Sequence, residues 1–594
     1  MCGFVGKITF SEIDKELLEE SNKYLICRGP DSTNFHHFSD KNLNISLAFN
    51  RLKIVDLSDK ANQPMHLNDN SASIVFNGEI FNHKQLREEL KNKGINFITT
   101  NSDTEVLLNG MKYYGIDFVN KLRGQFAFCY FDQKIKKAYL VSDRLNQKPL
   151  YYTFSKKSLT FSSNLKSLVK NLNTYKLDNQ YIYEYLNYGI VASPNTIFEN
   201  IKKLQPAQII EIDYSNDIIS NTSHIYWEPK NYIESEVFDE NLFFEKFDEA
   251  VMLRTEADVP VANFLSGGID STAIIKNMHD KNYEVNSFSV VFNEKKYSEQ
   301  KWSRVVSKKY STNHKEVNAS IDFDGEKISN ALKSLDEPYS DPSVIPSYLI
   351  SKEISNYFKV AISGDGGDEL LGGYKRVEVA LKNKNIFSQF LSKGYGLYPS
   401  FLGTGNFFLS KSKDLNLSYE SFFKDEKLFN LLKLQENAVK NKVNLEKDID
   451  QYKAILLQDY KYYLPEMMMF KIDRTSMANS LEIRSPFVDH KLIEYVLSTQ
   501  LGKNNETRNK AVLKRYLLKD FSEEFVNRKK QGFVFDLENW VFSNLSYIND
   551  YLTSGSYFQN FPRNTIKLLS IYKSRINANR IWRLFVLEHY LAEL

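Results

Sequence analysis

The apolar patterning of the chain changes character near residue 236, and that change bounds what it can fold into. Beyond this point three apolar runs, VPVANFL, NSFSVVF and FKVAISG, each precede helical sequence. Strands that are apolar throughout are buried on both faces, as in a parallel sheet covered by helices. Before about residue 212 the runs LNISLAFN, SASIVFNGEIF, GQFAFCYFD and KAYLVSD are short, rich in β-branched and aromatic residues, and bounded by Gly, Asn or Asp. They read as mostly antiparallel strands, with one helix at HKQLREELKNKG stopped by its glycine. The expected architecture is an α+β amino-terminal domain over 1–212, a polar connector over 213–235, and an α/β parallel-sheet domain over 236–594 that is largely helical beyond about 380. A chain of 594 residues is too long for one ordinary core, so two or three domains are expected.

Charge excludes one class of partner. Lys+Arg (77) nearly balances Asp+Glu (74), which leaves no nucleic-acid footprint, so any phosphate site must be local. Three cysteines (Cys2, Cys27, Cys129) make neither a disulfide framework nor a CxxC zinc motif, and the stretches around Cys27 and Cys129 read as buried or structural. No apolar run of about 18 residues suggests a membrane span, and no secretory signal leads the chain. The reading is a cytoplasmic protein with no membrane partner; a homodimer stays open.

Cys2 is different because its position is chemically special. Loss of Met1 would leave a thiol beside its own free α-amine, whose ordinary pKa of about 7.7–8.0 suits a base at neutral pH. A nucleophile also needs oxyanion donors and a grip on its substrate. Asn77 and Gly78, at the end of the apolar run SIVF, offer an amide and a backbone N–H. Arg51 could take a carboxylate and Asp103 an ammonium. An amino acid such as glutamine carries both.

Two glycine-rich stretches follow later strands. FLSGGIDSTAII has a strand, a paired-glycine loop and a helix start. Gly267 and Gly268 let successive N–H groups face an anion, while Ser266, Ser271 and the helix N-terminus add donors. It lacks the lysine of GxxxxGK[ST], so it suits a departing pyrophosphate rather than a transferred phosphoryl group. VAISGDGGDELLGGY places Asp365, Asp368 and Glu369 among five glycines. Acids facing a phosphate loop need a cation between them, and Mg²⁺ prefers one or two carboxylates plus phosphate oxygens. Asp270 and Asp368 are the best placed.

These motifs resemble two known families. MCG, RGPD (28–31), RLKIVD (51–56), NGEIFNH (77–83), SDTEV (102–106) and GQFAFCYFD (124–132) are similar, in order, to the class II glutamine amidotransferase domain. The resemblance implies an Ntn-hydrolase-like fold with Cys2 as mature nucleophile. It also implies glutamine held by Arg51, Asn77, Glu79 and Asp103, and an Asn77/Gly78 oxyanion hole. The chain departs from the family at Cys27, where His usually stands, and in SDRLNQKPLYY, where Asn146 replaces a glycine and Ser142 an arginine. SGGIDS, LDEPYSDPS (335–343) and SGDGGDE (363–369) resemble the N-type ATP pyrophosphatases. YLPEMMMFKIDRTSMANSLEIRSPFVDH (463–490) and RKKQGF (528–533) narrow this to the asparagine synthetase-like domain. That implies ATP near Leu265, Val290, Ser363 and Gly364, pyrophosphate on Ser266–Ser271, and Mg²⁺ on Asp270 and Asp368. Asp365 takes the place of the acid linked to acyl-adenylate formation, and Lys530 that of the lysine stabilising the transition state. Arg474 and Arg484 read as core ion-pair residues. The implied reaction is ATP-dependent amidation of a carboxylate with ammonia from glutamine, passed internally. L-aspartate is the first acceptor, a uronic acid of a surface polysaccharide the alternative. No motif marks the residues beyond about 545.

Overall fold

The computed structural model describes residues 2–594 apart from 41, 173, 292–298, 319–324, 383–385, 435–441, 501–507, 529–535, 556 and 563. Among the described residues twelve strands build the amino-terminal half. They are β1 (Cys2–Thr9), β2 (Ser32–Asp40), β3 (Leu43–Arg51), β4 (Met65–His66), β5 (Ala72–Ile80), β6 (Gly124–Asp132), β7 (Lys137–Ser142), β8 (Tyr151–Phe154), β9 (Ser158–Ser162), β10 (Lys202–Lys203), β11 (Gln208–Asp213) and β12 (Ser220–Ile225). They form two antiparallel sheets, ordered β10-β8-β9-β1-β3-β2 and β12-β11-β7-β6-β5-β4. The sheets stack face to face. Ala127, Cys129 and Phe131 of β6 point into the sandwich with Phe4, Ile8 and Phe49, while Phe126, Phe128 and Tyr130 point outward onto helices carrying Leu86, Leu90, Leu107 and Met111. Both faces of β6 are therefore buried, which is why its sequence reads as one apolar run despite the period-two alternation.

Two expectations change here. The segment 213–235, read as a connector, supplies β12, which pairs with β11 from Gln208↔Ile225 to Asp213↔Ser220. Every β12 side chain is exposed, so no apolar alternation marked it. Cys129 is buried as expected, but Cys27 is exposed on a short 3₁₀ turn, Lys23–Arg28. The turn buries Leu25 and Arg28 instead. Asn146 has φ 51°, the left-handed conformation that asparagine tolerates in place of glycine.

The second half carries a five-stranded sheet, β15-β14-β13-β16-β17, parallel at every pairing. Its strands are β13 (Val261–Phe264), β14 (Asn286–Val291), β15 (Asn313–Asn318), β16 (Val360–Ile362) and β17 (Glu482–Arg484). The runs at β13, β14 and β16 were legible; polar NHKEVN at β15 and the charged EIR at β17 were not. The chain leaves β13 for β14 on one side and reaches β16 on the other. Ligands of open α/β sheets bind at the carboxyl ends of strands at such a switch. Both glycine-rich loops lie there.

The halves share a core. The helix Arg575–Ala592 buries Trp582, Leu584 and Phe585 in a cluster that also contains Tyr151, Leu168, Ile182 and Tyr185 of the first half. Arg583 donates to the Leu186 and Asn187 carbonyls, and Tyr185 Oη donates to the Arg583 carbonyl. The stretch beyond 545 thus clamps the amino-terminal domain. Buried ions cross the same boundary: Arg28 and Lys148 meet Asp473, Lys203 meets Glu337 and Glu466, and Arg123 meets Asp489. Burial alone would raise the Asp473 pKa, but Arg28 and Lys148 hold it well below the usual carboxylate range. A depressed folded-state pKa means that this contribution is present above the ordinary Asp range and fades as pH falls through the depressed value. Asp473→Asn would strand two buried cations. Breaking a buried pair costs about 3–5 kcal/mol, so the variant should unfold several degrees earlier in a thermal melt at pH 7; an unchanged melt would show that the cluster contributes nothing.

Candidate active sites

The first site forms where β1, β3 and β5 end together. Antiparallel register puts Cys2 opposite Arg51, and the Cys2 N–H donates to Asn77 Oδ1 at 3.2 Å. That leaves Asn77 Nδ2 as a fully buried donor with no partner among the described residues. A buried amide N–H without an acceptor is costly, and it is what a tetrahedral oxyanion would take up. Gly78 adopts φ 153°, and a Cβ there would strike the Gln125 carbonyl oxygen at 2.1 Å. Glycine is required at that position by conformation and space alike.

Asp103 opens the helix Asp103–Tyr114, which Ser102 caps by accepting from the Glu105 N–H, and its carboxylate accepts from the Ile80 N–H at 3.1 Å. Burial raises the Cys2 thiol above its ordinary value; the chain's amino terminus, the Leu52 N–H and Arg51 pull it down, and Asp103 pushes it up. Glu79 is also held well above the usual carboxylate range, by burial and then by Asp103. Burial raises Asp103 as well, and two acids so held suit an ammonium group between them. Arg51 differs from the expected bidentate carboxylate clamp. Its Nη1 donates to the Ser58 carbonyl and Asn62 Oδ1, and its Nη2 to the Val55 and Asp56 carbonyls. The guanidinium ties down the loop beside Cys2 and leaves Nε for a ligand.

The second site lies at the carboxyl ends of β13 and β16. Gly267 has φ 71°, and a Cβ on it would meet the Trp302 and Ser303 backbone below 3 Å. The Gly268 N–H donates to Ser266 Oγ, which lies 3.2 Å from Ser271 Oγ. Gly364 and Gly367 close against Asp270: a Cβ would reach its side chain at 2.8 and 2.6 Å. Leu265 is buried beneath this loop, and Ser363 Oγ is buried with no partner among the described residues. Asp365 is half-buried, its carbonyl accepting from Ser485 Oγ. Val290 lies on β14, but its side chain, like Lys529 and Lys530, lies outside the described residues.

Sequence reasoning missed Lys510. Its Nζ lies 2.6 Å from Asp270 Oδ2 and 2.7 Å from Asp368 Oδ1. Asn509 and Lys510 both have positive φ, a conformation costing about 1–3 kcal/mol per residue in non-glycine chains. The two aspartates converge on one cation position, which fits Mg²⁺ held by two carboxylates with phosphate oxygens completing its shell. Among the described residues no cluster of three or more His, Cys, Asp or Glu side chains could hold a metal alone. Glu369, beside Asp368, is pushed up to about 7 by burial and that neighbour.

Arg474 and Arg484 are both in buried ion pairs, with Asp336 and Glu482. Arg484 does more. Its carbonyl accepts from the Ser363 N–H at 2.9 Å, and its Nη2 lies 3.4 Å from Glu79 Oε2. One fully buried residue touches both candidate sites.

With this geometry in hand the chain can be placed among known proteins. The family model described as asparagine synthase matches residues 243–575, and that described as glutamine amidotransferase domain matches residues 1–227. The chain belongs to the glutamine-hydrolysing asparagine synthetase family. It is 30% identical to the glutamine-hydrolysing asparagine synthetase 1 of Bacillus subtilis (strain 168), over 91% of this chain and 88% of that one. It is 34% identical to the putative asparagine synthetase 2 of Methanocaldococcus jannaschii, over 63% and 76%. A third relative, the amidase chry2 of Gibberella zeae, is 23% identical over 88% and 86%.

The electrostatics around Cys2 are directly measurable. Asp103→Asn removes a negative neighbour, so the pH midpoint for alkylation of Cys2 by iodoacetamide should fall relative to the parent protein, read by peptide mass spectrometry. An unchanged midpoint would place Asp103 out of electrical contact with the thiol.

Proposed function

We propose that this protein amidates L-aspartate to L-asparagine in the cytoplasm, using ATP and ammonia cut from glutamine. The observation that carries the reading is the pairing of two prepared but unsaturated sites, the Asn77 donor at Cys2 and the Ser363 hydroxyl at the SGG loop, joined through Arg484.

At the first site Cys2, freed of Met1, passes its thiol proton to its own α-amine and attacks the glutamine side-chain amide. Asn77 Nδ2 and the Gly78 N–H receive the oxyanion, Asp103 and Glu79 hold the substrate ammonium, and Arg51 Nε reaches its carboxylate. Ammonia leaves with a proton from the amine, and water then hydrolyses the glutamyl thioester. At the second site the acceptor carboxylate attacks the α-phosphorus of ATP, with Ser266–Ser271 holding the pyrophosphate that departs. Asp270 and Asp368 would hold Mg²⁺, which neutralises charge on the phosphates when bound. Lys510, now between those carboxylates, would turn its ammonium toward the phosphates, and Lys530 would stabilise the same charge. Asp365 would position the acceptor side. Ammonia attacks the acyl-adenylate and AMP leaves.

The alternative acceptor is another carboxylate, such as a uronic acid of a surface polysaccharide; one relative is named amidase rather than asparagine synthetase. A screen of carboxylates for ATP-dependent release of AMP and pyrophosphate separates the two. Aspartate should give the highest kcat/KM, and a uronic acid above it would overturn the first choice.

Two substitutions separate the halves. Cys2→Ala should abolish glutamine hydrolysis yet keep synthesis from high ammonium; equal loss of both would make Cys2 structural. Asp270→Asn should lower AMP formation at least about a hundredfold while glutamine hydrolysis stays measurable; unchanged AMP output would remove Asp270 from the site.

A further inference from the structure

Far along the chain from both sites, two segments are devoid of acidic residues. Residues 386–413 carry Lys393, Lys411 and Lys413, and residues 565–576 carry Lys567, Lys573 and Arg575, with no Asp or Glu in either. At the overall usage of 74 acids in 594 residues, stretches of this combined length would hold about five. The structure brings the two together. Asn577 Nδ2 donates to the Phe401 and Tyr572 carbonyls, Arg580 Nη1 donates to the Ser400 carbonyl, and Gly403 packs on the Ile576 side chain.

The same segments leave large apolar side chains in water. In the short helix Ile386–Ser392, Phe387 and Phe390 are 67% and 72% exposed and, three residues apart, share one face. Leu397 is 89% exposed, and Phe407, Ile571 and Tyr572 are each more than half exposed. The backing is ordered: Gly394 lies against Phe408, Gly405 against Tyr395 and Tyr398, and Lys411 over the Phe407 ring. Glu426, which accepts from Tyr395 Oη at the edge, is itself paired with Lys424.

We propose that this face docks the protein on an anionic lipid bilayer. Exposed aromatic and aliphatic side chains ringed by lysine are the chemistry of interfacial binding. Apolar groups enter the headgroup boundary while basic residues are drawn to the charge of an anionic surface. A second copy of the chain is the poorer occupant, because a symmetric contact would set like charges against each other. Such docking needs no spanning segment, and no described helix is long and apolar enough to cross a membrane. The proposal is independent of which carboxylate the enzyme amidates.

The test is co-sedimentation of the full chain with vesicles of phosphatidylcholine, with and without 30 mol% phosphatidylglycerol, about the composition at which surface charge becomes substantial. Binding to the anionic vesicles should exceed binding to neutral ones at least about tenfold and weaken at about 0.5 M salt, where screening shortens the reach of charge. Phe387→Ser/Phe390→Ser and, separately, Lys393→Glu/Lys413→Glu should each cut it severalfold, with glutamine hydrolysis unchanged as the check on folding. Equal binding to both vesicle types, no binding, or unaltered binding by both variants overturns the proposal. So does a concentration-dependent dimer in sedimentation velocity that Phe387→Ser/Phe390→Ser abolishes.

Discussion

The arrangement depends on charges buried where the two halves meet. Taking an ion from water costs several kcal/mol even after relaxation, and a partner at hydrogen-bond distance repays it only when the geometry is good. Here the partners come from opposite halves. Asp473 receives Arg28 and Lys148, Asp489 receives Arg123 along with Arg254, and Lys203 sits between Glu337 and Glu466. The net stabilisation from each pair is small, whereas misdocking by one residue would strand several charges at once. These contacts therefore set how the halves sit more than how strongly they hold.

That geometry reaches the chemistry directly. Arg28 gives Nη1 and Nη2 to Asp473 and its Nε to the Cys2 carbonyl, so the strand carrying Cys2 is anchored to a helix of the other half. Arg484 works in the opposite direction, its backbone fixing the loop at Ser363 and its side chain meeting Glu79. Fixed buried donors thus hold the two candidate sites on one frame.

Each centre is also kept unsatisfied. Asn77 Nδ2, Glu79 Oε1 and Ser363 Oγ are buried without hydrogen-bond partners among the described residues. Lys510 meanwhile offsets the mutual repulsion of Asp270 and Asp368. Unpaired polar atoms tax the free protein, and a ligand that pairs them returns that free energy as binding or as transition-state stabilisation.

Much of this was written in the linear order of residues. Buried strands gave themselves away as apolar runs, and the glycine loops by composition, because each depends on neighbours a few positions apart. Asn146 in a left-handed turn followed from the backbone preference of one residue type. What stayed hidden depends on contacts across hundreds of residues. β12 is wholly exposed and β17 buries charges, so neither shows the apolar pattern of a strand. Arg51 was legible as a functional cation, but its loss of two donor nitrogens to loop carbonyls was not. Lys510 carries no local signal, since a lone basic residue reads the same on a solvated face as between two aspartates; Arg484 was legible as a core ion-pair residue, but its reach to Glu79 was not. The sequence determined which chemistry the chain carries, because reactive groups and backbone-permissive glycines are properties of residue type. The tertiary structure alone decided which groups meet, because burial makes an ion's partner obligatory and only the folded chain can supply it.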